Sequence, residues 1–321
     1  MASEFDFITR YFTRPVGGDL LGVGDDCALF SAPPGKQVAT SADLLIEGRH
    51  FFPDVDPVSL GHKALTVNLS DLAAMGAVPI GCLLGLALPR IDEAWLAGFS
   101  QGFHALATAH ACPLIGGDTT RSPRDLLISV TVFGALDPKQ ALRRDAAQAG
   151  DEIWVSGVLG AADIAYRLLS GQLAPDAERL AATRPALEWP EARLNLGQAL
   201  AGIAHAALDI SDGLLQDLGH ILAASRLGAC LDYNAMPIAS SLAGLPDAIA
   251  RQAVLGGGDV YELCFTAAPQ DHQRVLHAAK QAGVAVSVVG RTTAEPGLKV
   301  LDSTGKALQD LPKGFDHFPA T

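Results

Sequence analysis

The chain has 321 residues, 49% hydrophobic and 18% charged, enough to bury the cores of two domains and too apolar for a disordered chain. Acidic residues outnumber basic ones by 35 to 23, a formal net charge of −12, which argues against general nucleic-acid binding through a basic surface. Five widely spaced cysteines with no C-x-x-C pair indicate neither a zinc ribbon nor a disulfide framework.

Residues 20–30 and 37–46 read as strands separated by the turn at 32–35. A helix is predicted from Pro57 to Met75, because Leu60, Ala64, Val67, position 71 and Ala74 repeat with helical spacing. A strand (81–88), a long helix (92–111) and two more strands (113–116 and 126–136) complete the first half. The alanine-rich polar stretch 138–149 reads as a linker between domains at 1–137 and 150–321. The second half opens with a strand at 152–156 and a helix at 161–169, then a proline-containing polar segment at 174–190. A helix (191–202), a strand (206–210), a helix (212–224) and a strand (229–233) follow. After a loop and short helix come Gly256 to Gly258, a strand (261–266), a helix (270–283) and two last strands. Strand and helix alternate in both halves, so the class is α/β or α+β.

No apolar run approaches the roughly 20 residues of a membrane span. The first residues lack the basic-then-apolar order of a signal peptide, so the expectation is a soluble cytoplasmic protein.

Six aspartates stand at awkward places, beside glycine or at the edges of apolar runs: Asp26, Asp43, Asp71, Asp118, Asp209 and Asp212. Gly-Asp pairs are common in turns, and Asp212 has the position of a helix N-cap. Asp71 resists that explanation, since it falls mid-helix on the apolar stripe. A buried carboxylate needs a partner charge or a metal, and hard cations such as Mg²⁺ bridge carboxylates to substrate phosphates. Together the six suggest one shared acidic cluster serving metal-assisted phosphate chemistry. The usual nucleotide signatures are missing: there is no G-x-x-x-x-G-K-[ST], and Cys27 stands where a dinucleotide loop needs Gly or Ala.

Gly98-Phe-Ser-Gln-Gly102 matches the G-x-S-x-G hydrolase pattern, which requires a strand-to-helix elbow. Leu96, Phe99, Phe103 and Leu106 instead form a helical stripe, so Ser100 reads as mid-helix and the match as accidental. His50 follows an acidic loop beside the Asp43 strand and has the position of a ligand contact or a packing residue. Arg144, in the linker, is either a phosphate contact or a solvated charge.

In order, the blocks Gly22 to Leu29, His62 to Ala77, Leu114 to Arg121, Asp209 to His220, Tyr261 to Phe265 and Lys313 to Phe318 resemble the thiamine-monophosphate kinase family. That family sits in the aminoimidazole ribonucleotide synthetase-like superfamily, and the resemblance covers the whole chain. It implies a two-domain fold and a homodimer joined through N-terminal sheets, with ATP near that interface. It also implies transfer of the ATP γ-phosphoryl to thiamine monophosphate, giving thiamine diphosphate. By matching position, several Mg²⁺ ions would be held by Asp26, Ser41, Ala42, Asp43, Asp71, Asp118, Asp209 and Asp212, with room for a monovalent cation. Asp71, Asp118 and Asp209 would be the most critical, and no covalent nucleophile is implied. ATP would meet Gly117, Asp118, Arg144 and Ser211; thiamine monophosphate would meet His50, Asp259 and Phe315.

The chain departs from the family pattern in three places. Ala42 replaces a common threonine, leaving only its main-chain carbonyl as a donor. Gly-Gly-Glu-Asp-Tyr-Glu becomes Gly257-Gly-Asp-Val-Tyr-Glu262, which shortens one acid to Asp259 and replaces another by Val260. A tyrosine often found near the adenine is not evident around Ala109 to Ala111. Rival readings are another ATP-dependent synthetase of the superfamily, a non-catalytic Mg²⁺–nucleotide binding protein, and a serine hydrolase through Ser100.

Overall fold

A computed structural model of the chain describes residues 4–17, 20–24 and 26–315. The chain divides into two compact units, one of residues 1–72 and 77–138, the other of residues 73–76 and 139–321.

In the first unit, a short helix α1 (Glu4–Phe7) runs into a wider turn over Ile8–Phe12, and β1 spans Gln37–Ile46. α2 (Pro57–Met75), β2 (Val78–Leu88), α3 (Glu93–Ala109), β3 (Leu114–Arg121) and β4 (Leu127–Leu136) follow. The strands form one sheet in the order β1-β4-β2-β3, with β2 and β3 parallel and the other pairs antiparallel. Cys82, Leu84 and Leu86 of β2 and Ile128, Val130 and Val132 of β4 alternate into the core. The residues between them stay half-exposed, so one sheet face is covered and the other largely open. The open face carries Val38 and Leu44, at 45% and 55% exposure.

α2 and α3 cross at glycines. A Cβ on Gly61 would overlap the Phe99 carbonyl oxygen, and one on Gly102 the Val58 carbonyl oxygen. Ser100 lies in that contact, buried mid-helix, its hydroxyl donating to the Ala97 carbonyl at 3.2 Å. The glycines of the G-x-S-x-G match are therefore helix-packing residues, and no elbow exists.

The second unit contains β5 (Glu152–Ser156), α4 (Ala161–Leu169), α5 (Ala177–Glu188), α6 (Leu194–Leu200), β6 (Ala206–Asp209) and α7 (Leu214–Ser225). β7 (Gly228–Asp232), α8 (Asp247–Gly256), β8 (Leu263–Ala267), α9 (His272–Ala282), β9 (Val286–Thr293) and β10 (Gly297–Leu301) complete it. Its six strands pair in the order β10-β7-β9-β5-β8-β6, and Ile153, Val155, Leu208, Leu218, Ile221 and Cys264 are fully buried against one another.

Two predicted elements differ. Among the described residues of 20–30 there are isolated bridge positions in place of the expected strand, Leu21 and Leu29 exchanging backbone hydrogen bonds of 2.9 and 3.1 Å. Gly24, with φ of 132°, turns the chain between them. The polar segment 174–190 holds α5. Asp176 caps it by accepting from the Arg179 amide at 2.9 Å, and Thr183 and Leu187, four residues apart, are buried.

Candidate active site

In the first unit the sequence-predicted residues meet along a seam between β1 and α2. Asp71 falls on the α2 stripe among the buried residues Val67, Leu72 and Ala74. Ser41 donates its hydroxyl hydrogen to Asp71 Oδ2 at 2.6 Å. One turn earlier, fully buried Asn68 accepts the Asp43 amide at 3.0 Å and donates to the Ala64 carbonyl at 3.2 Å. Residues 41 and 43, alternate positions on one face of β1, thus dock in order against 71 and 68 of α2. Ala42 lies between them, opposite Thr131 of β4. Asn68 was not singled out in the sequence, although a polar amide three residues before Asp71 and between apolar neighbours is a readable signal.

His50 closes the loop after β1. The Ile46 amide donates to its Nδ1 at 3.0 Å, so that nitrogen presents a lone pair and the ring hydrogen of the neutral form sits on Nε2. Glu47 pins the same loop by accepting the Leu126 amide at 3.0 Å. Asp26 lies exposed in the loop that the Leu21–Leu29 bridge closes.

The register separates Asp118 from this seam. Asp43 lies in the row Asp43–Val130–Leu84–Gly117, whereas Asp118 lies in the next row, Leu44–Ser129–Gly85–Asp118. Adjacent rows project to opposite faces, and β1 and β3 are three strand spacings apart, roughly 14 Å. The single acidic cluster expected from sequence is thus corrected: within this unit Asp43 and Asp71 form one locus and Asp118 another. Gly117 and Asp118 are both exposed. A Cβ on Gly117 would overlap the Leu84 carbonyl oxygen, so β3 approaches β2 there as only glycine permits.

In the second unit the predicted residues converge on the loop from β6 to α7. Asp209, 7% exposed, ends β6 opposite Leu263. The amides of Ser211, Asp212 and Gly213 all donate to one oxygen of Asp217, at 3.1, 3.0 and 3.0 Å. Asp212 is therefore not the N-cap of α7. That place belongs to Gly213, whose φ of 120° suits glycine and where a Cβ would meet the Gly256 main chain. The loop carbonyls face the other way: Ile210 accepts the Tyr261 amide at 2.8 Å, Ser211 that of Asp259 at 2.8 Å, and Asp212 that of Phe315 at 2.9 Å.

The segment 259–261 is held under strain. Asp259 and Tyr261 both take φ of 57°, a region costly for side-chain-bearing residues, and the Tyr261 hydroxyl donates to Asp259 Oδ1 at 2.8 Å. Val260 stands between them. The next residue, buried Glu262, is clamped by Arg193 through hydrogen bonds of 2.8 and 2.5 Å and by the Ser156 hydroxyl. Glu262 is therefore an anchor for the strained turn. Gln216 bridges the loop to the C-terminal segment, its amide nitrogen reaching the Phe315 carbonyl at 2.8 Å and Asp212 Oδ2 at 3.3 Å.

Burial pushes the Asp217 carboxyl up to about 6, against the pull of the three amides that donate to it, with the Asp212 charge adding to the rise. Asp163, whose Cβ lies close to Gly257, is raised too by burial, offset in part by Arg167 at 2.6 Å. Arg144 sits exposed on a short helical turn whose Arg144 carbonyl accepts from Ser225 at 2.8 Å.

Among the described residues no three His, Cys, Asp or Glu side chains converge into a metal-holding group. The β1–α2 seam offers two carboxylates and a hydroxyl, all hard oxygen donors. That donor set fits Mg²⁺, which takes one or two carboxylates and completes its shell with water and phosphate oxygens.

The descriptions of two family models match the chain: AIR synthase related protein, N-terminal domain, over residues 24–136, and C-terminal domain, over residues 148–303. The chain is 40% identical over 327 residues to thiamine-monophosphate kinase of Haemophilus influenzae, covering 98% of each. Among solved structures it is similar to thiamine-monophosphate kinase from Stenotrophomonas maltophilia, with 44% identity, a TM-score of 0.83 and coverage of 90% of this chain and 92% of that one. It is also similar to a structure described as AaThiL complexed with AMPPCP and TMP, with 28% identity, a TM-score of 0.75 and coverage of 90% and 89%.

Proposed function

The chain belongs to the AIR synthase related family, and from that membership we propose that it transfers the γ-phosphoryl of ATP to thiamine monophosphate, forming thiamine diphosphate and ADP. The observation that carries this reading is the loop 210–213, which joins the acidic residues Asp209 and Asp212 to Asp259, Tyr261 and Phe315 through three main-chain hydrogen bonds. A relative solved with an ATP analogue and TMP, similar along nine-tenths of this chain, supports it.

Asp26, Ser41, Asp43, Asp71, Asp118, Asp209 and Asp212, with the Ala42 main chain, would hold Mg²⁺. When bound, the metal offsets the repulsion between two phosphates and the charge that develops in transfer. Gly117, Asp118, Arg144 and Ser211 orient ATP. Exposed Arg144, on its short turn, brings a cation to an anionic ligand. Asp259 and Phe315 receive thiamine monophosphate: the carboxylate, aimed by Tyr261, addresses the cationic heterocycle and the half-exposed ring of Phe315 offers a stacking face. His50, in the loop after β1, would also meet thiamine monophosphate.

In the chemical step a phosphate oxygen of thiamine monophosphate attacks the γ-phosphorus as the bond to the ADP oxygen breaks. The acceptor oxygen is already ionised at neutral pH, since the second phosphate pKa is about 6, so the step asks for no general base.

A homodimer joined through the open face of the first sheet follows from the same reading, supported by exposed Val38 and Leu44 on that face. No helix among the described residues is long and apolar enough to cross a membrane. A cytoplasmic place follows from ATP as co-substrate.

Product analysis tests the reading. Protein, Mg-ATP and thiamine monophosphate should yield thiamine diphosphate and ADP in equal amounts. ATP consumption that leaves the thiamine monophosphate unchanged would overturn it.

A further inference from the structure

We propose that Asp217 is a positioning residue for phosphoryl transfer: one buried carboxylate oxygen fixes the loop from which both the acidic residues and the acceptor residues of the second unit hang. The inference rests on the functional reading above.

Asp217 is 4% exposed and lies one turn into α7. Its place on the apolar stripe of Leu214, Leu218, Ile221 and Leu222 would ordinarily be taken by leucine. Its Oδ2 accepts from three successive amides, those of Ser211, Asp212 and Gly213. The Asp217 amide in turn donates to the Gly213 carbonyl at 3.0 Å. Successive amides aimed at one oxygen form an anion nest, and here the anion belongs to the chain itself.

The consequence lies on the other side of the loop. With its amides turned inward, the loop turns its carbonyls outward, where Ile210, Ser211 and Asp212 receive the amides of Tyr261, Asp259 and Phe315. Each residue proposed to meet thiamine monophosphate in this unit is thereby hung by its own amide, or by that of its orienting neighbour Tyr261, from a loop carbonyl. Asp209 precedes the same loop and Asp212 belongs to it. Crowding keeps the arrangement rigid: a Cβ on Gly258 would meet the Ser211 carbonyl oxygen, and one on Gly314 the Asp212 carbonyl oxygen. A turn of one loop peptide would displace the acidic and the acceptor residues together. A misplacement of about 1 Å can cost on the order of a hundredfold in rate.

The test uses the full chain, with Asp217→Asn and Asp217→Ala beside wild type. Two readouts are taken: steady-state formation of thiamine diphosphate, and amide hydrogen exchange of residues 211–213. In wild type these amides should be protected. In Asp217→Ala, kcat per folded molecule should fall about tenfold or more, and KM for thiamine monophosphate should rise several-fold. Asp217→Asn, which keeps an acceptor oxygen, should fall between. A role in folding alone would lower the folded fraction and the melting temperature and leave both kinetic constants of the folded molecules unchanged; that result overturns the inference. Rapid exchange of the three amides in active wild type overturns it as well, whether or not the variants fold. A wild type that forms no thiamine diphosphate overturns the functional reading and this inference with it.

Discussion

Ser41 donates its hydroxyl hydrogen to Asp71 across 2.6 Å, joining β1 to the middle of α2 over 30 residues of sequence. A carboxylate on a helix face that otherwise buries leucine and valine is expensive. Asp71→Asn keeps the shape and removes the charge. The expected result is a fall in kcat of about a hundredfold or more with the fold retained. Turnover near that of wild type at saturating Mg²⁺ would remove Asp71 from the metal-binding set.

Phe315 hangs by its amide from Asp212 and is 38% exposed. Phe315→Ala should raise KM for thiamine monophosphate several-fold, since an aromatic pair contributes about 0.5–1.5 kcal/mol beyond area burial. KM for ATP should change much less. An equal rise in both constants would mean general damage to the unit rather than loss of a stacking surface.

Tyr261 and Asp259 share the same strained backbone region, and the phenol aims the carboxylate. Tyr261→Phe keeps the ring and removes the hydroxyl, a hydrogen bond to a charged group of about 1.5 kcal/mol or more. Catalytic efficiency toward thiamine monophosphate should drop about tenfold on that account. Unchanged efficiency in the phenylalanine variant would show that Asp259 is held by its backbone alone.

His104 on α3 donates Nε2–H to the Tyr11 carbonyl at 2.9 Å, tethering the N-terminal segment. Burial lowers its pKa, the Tyr11 carbonyl opposes that, and nearby Arg14 adds to it. A depressed folded-state pKa means that the unfolded chain binds the proton first as pH falls below about 6.5. The stability contributed by neutral His104 is therefore present above that pH and lost below it. Melting curves from pH 8 to pH 5 should show wild type losing more stability than His104→Gln, which keeps a donor and cannot titrate. Parallel losses would clear His104 of the effect.

Transfer should pass directly from donor to acceptor. Ser100 is locked mid-helix onto Ala97, and burial pushes the Cys264 thiol up, away from the reactive thiolate. Incubation with γ-labelled ATP alone should leave no label on the denatured protein, and a chiral γ-phosphoryl should emerge inverted. Retention of configuration would require a phosphorylated intermediate and a search for the residue that carries it.

Sequence by itself determined the elements whose periodicity is strong and whose ends are marked. α2 begins and ends at the predicted Pro57 and Met75, and β5 and α4 also keep their predicted bounds, because burial patterns there are local and uninterrupted. The same periodicity exposed Asp71, a charge where the stripe demands an apolar residue. It also carried the signal for Asp217, which stands on the α7 stripe in the same way and was passed over. α5 stayed hidden because its polar surface and Pro185 mask a narrow buried stripe that only packing against α4 makes worthwhile. Tertiary structure alone decided which aspartates lie together. Asp43 and Asp118 look equivalent in sequence, each beside an apolar strand, yet strand order and register put them on opposite faces of one sheet. Strand order is a property of non-local pairing, and a step of one residue reverses the face, so no local pattern could separate them. Likewise the direction of the 210–213 peptides, amides toward Asp217 and carbonyls toward Asp259, Tyr261 and Phe315, exists only when two distant segments, 259–261 and the one holding Phe315, close on one loop.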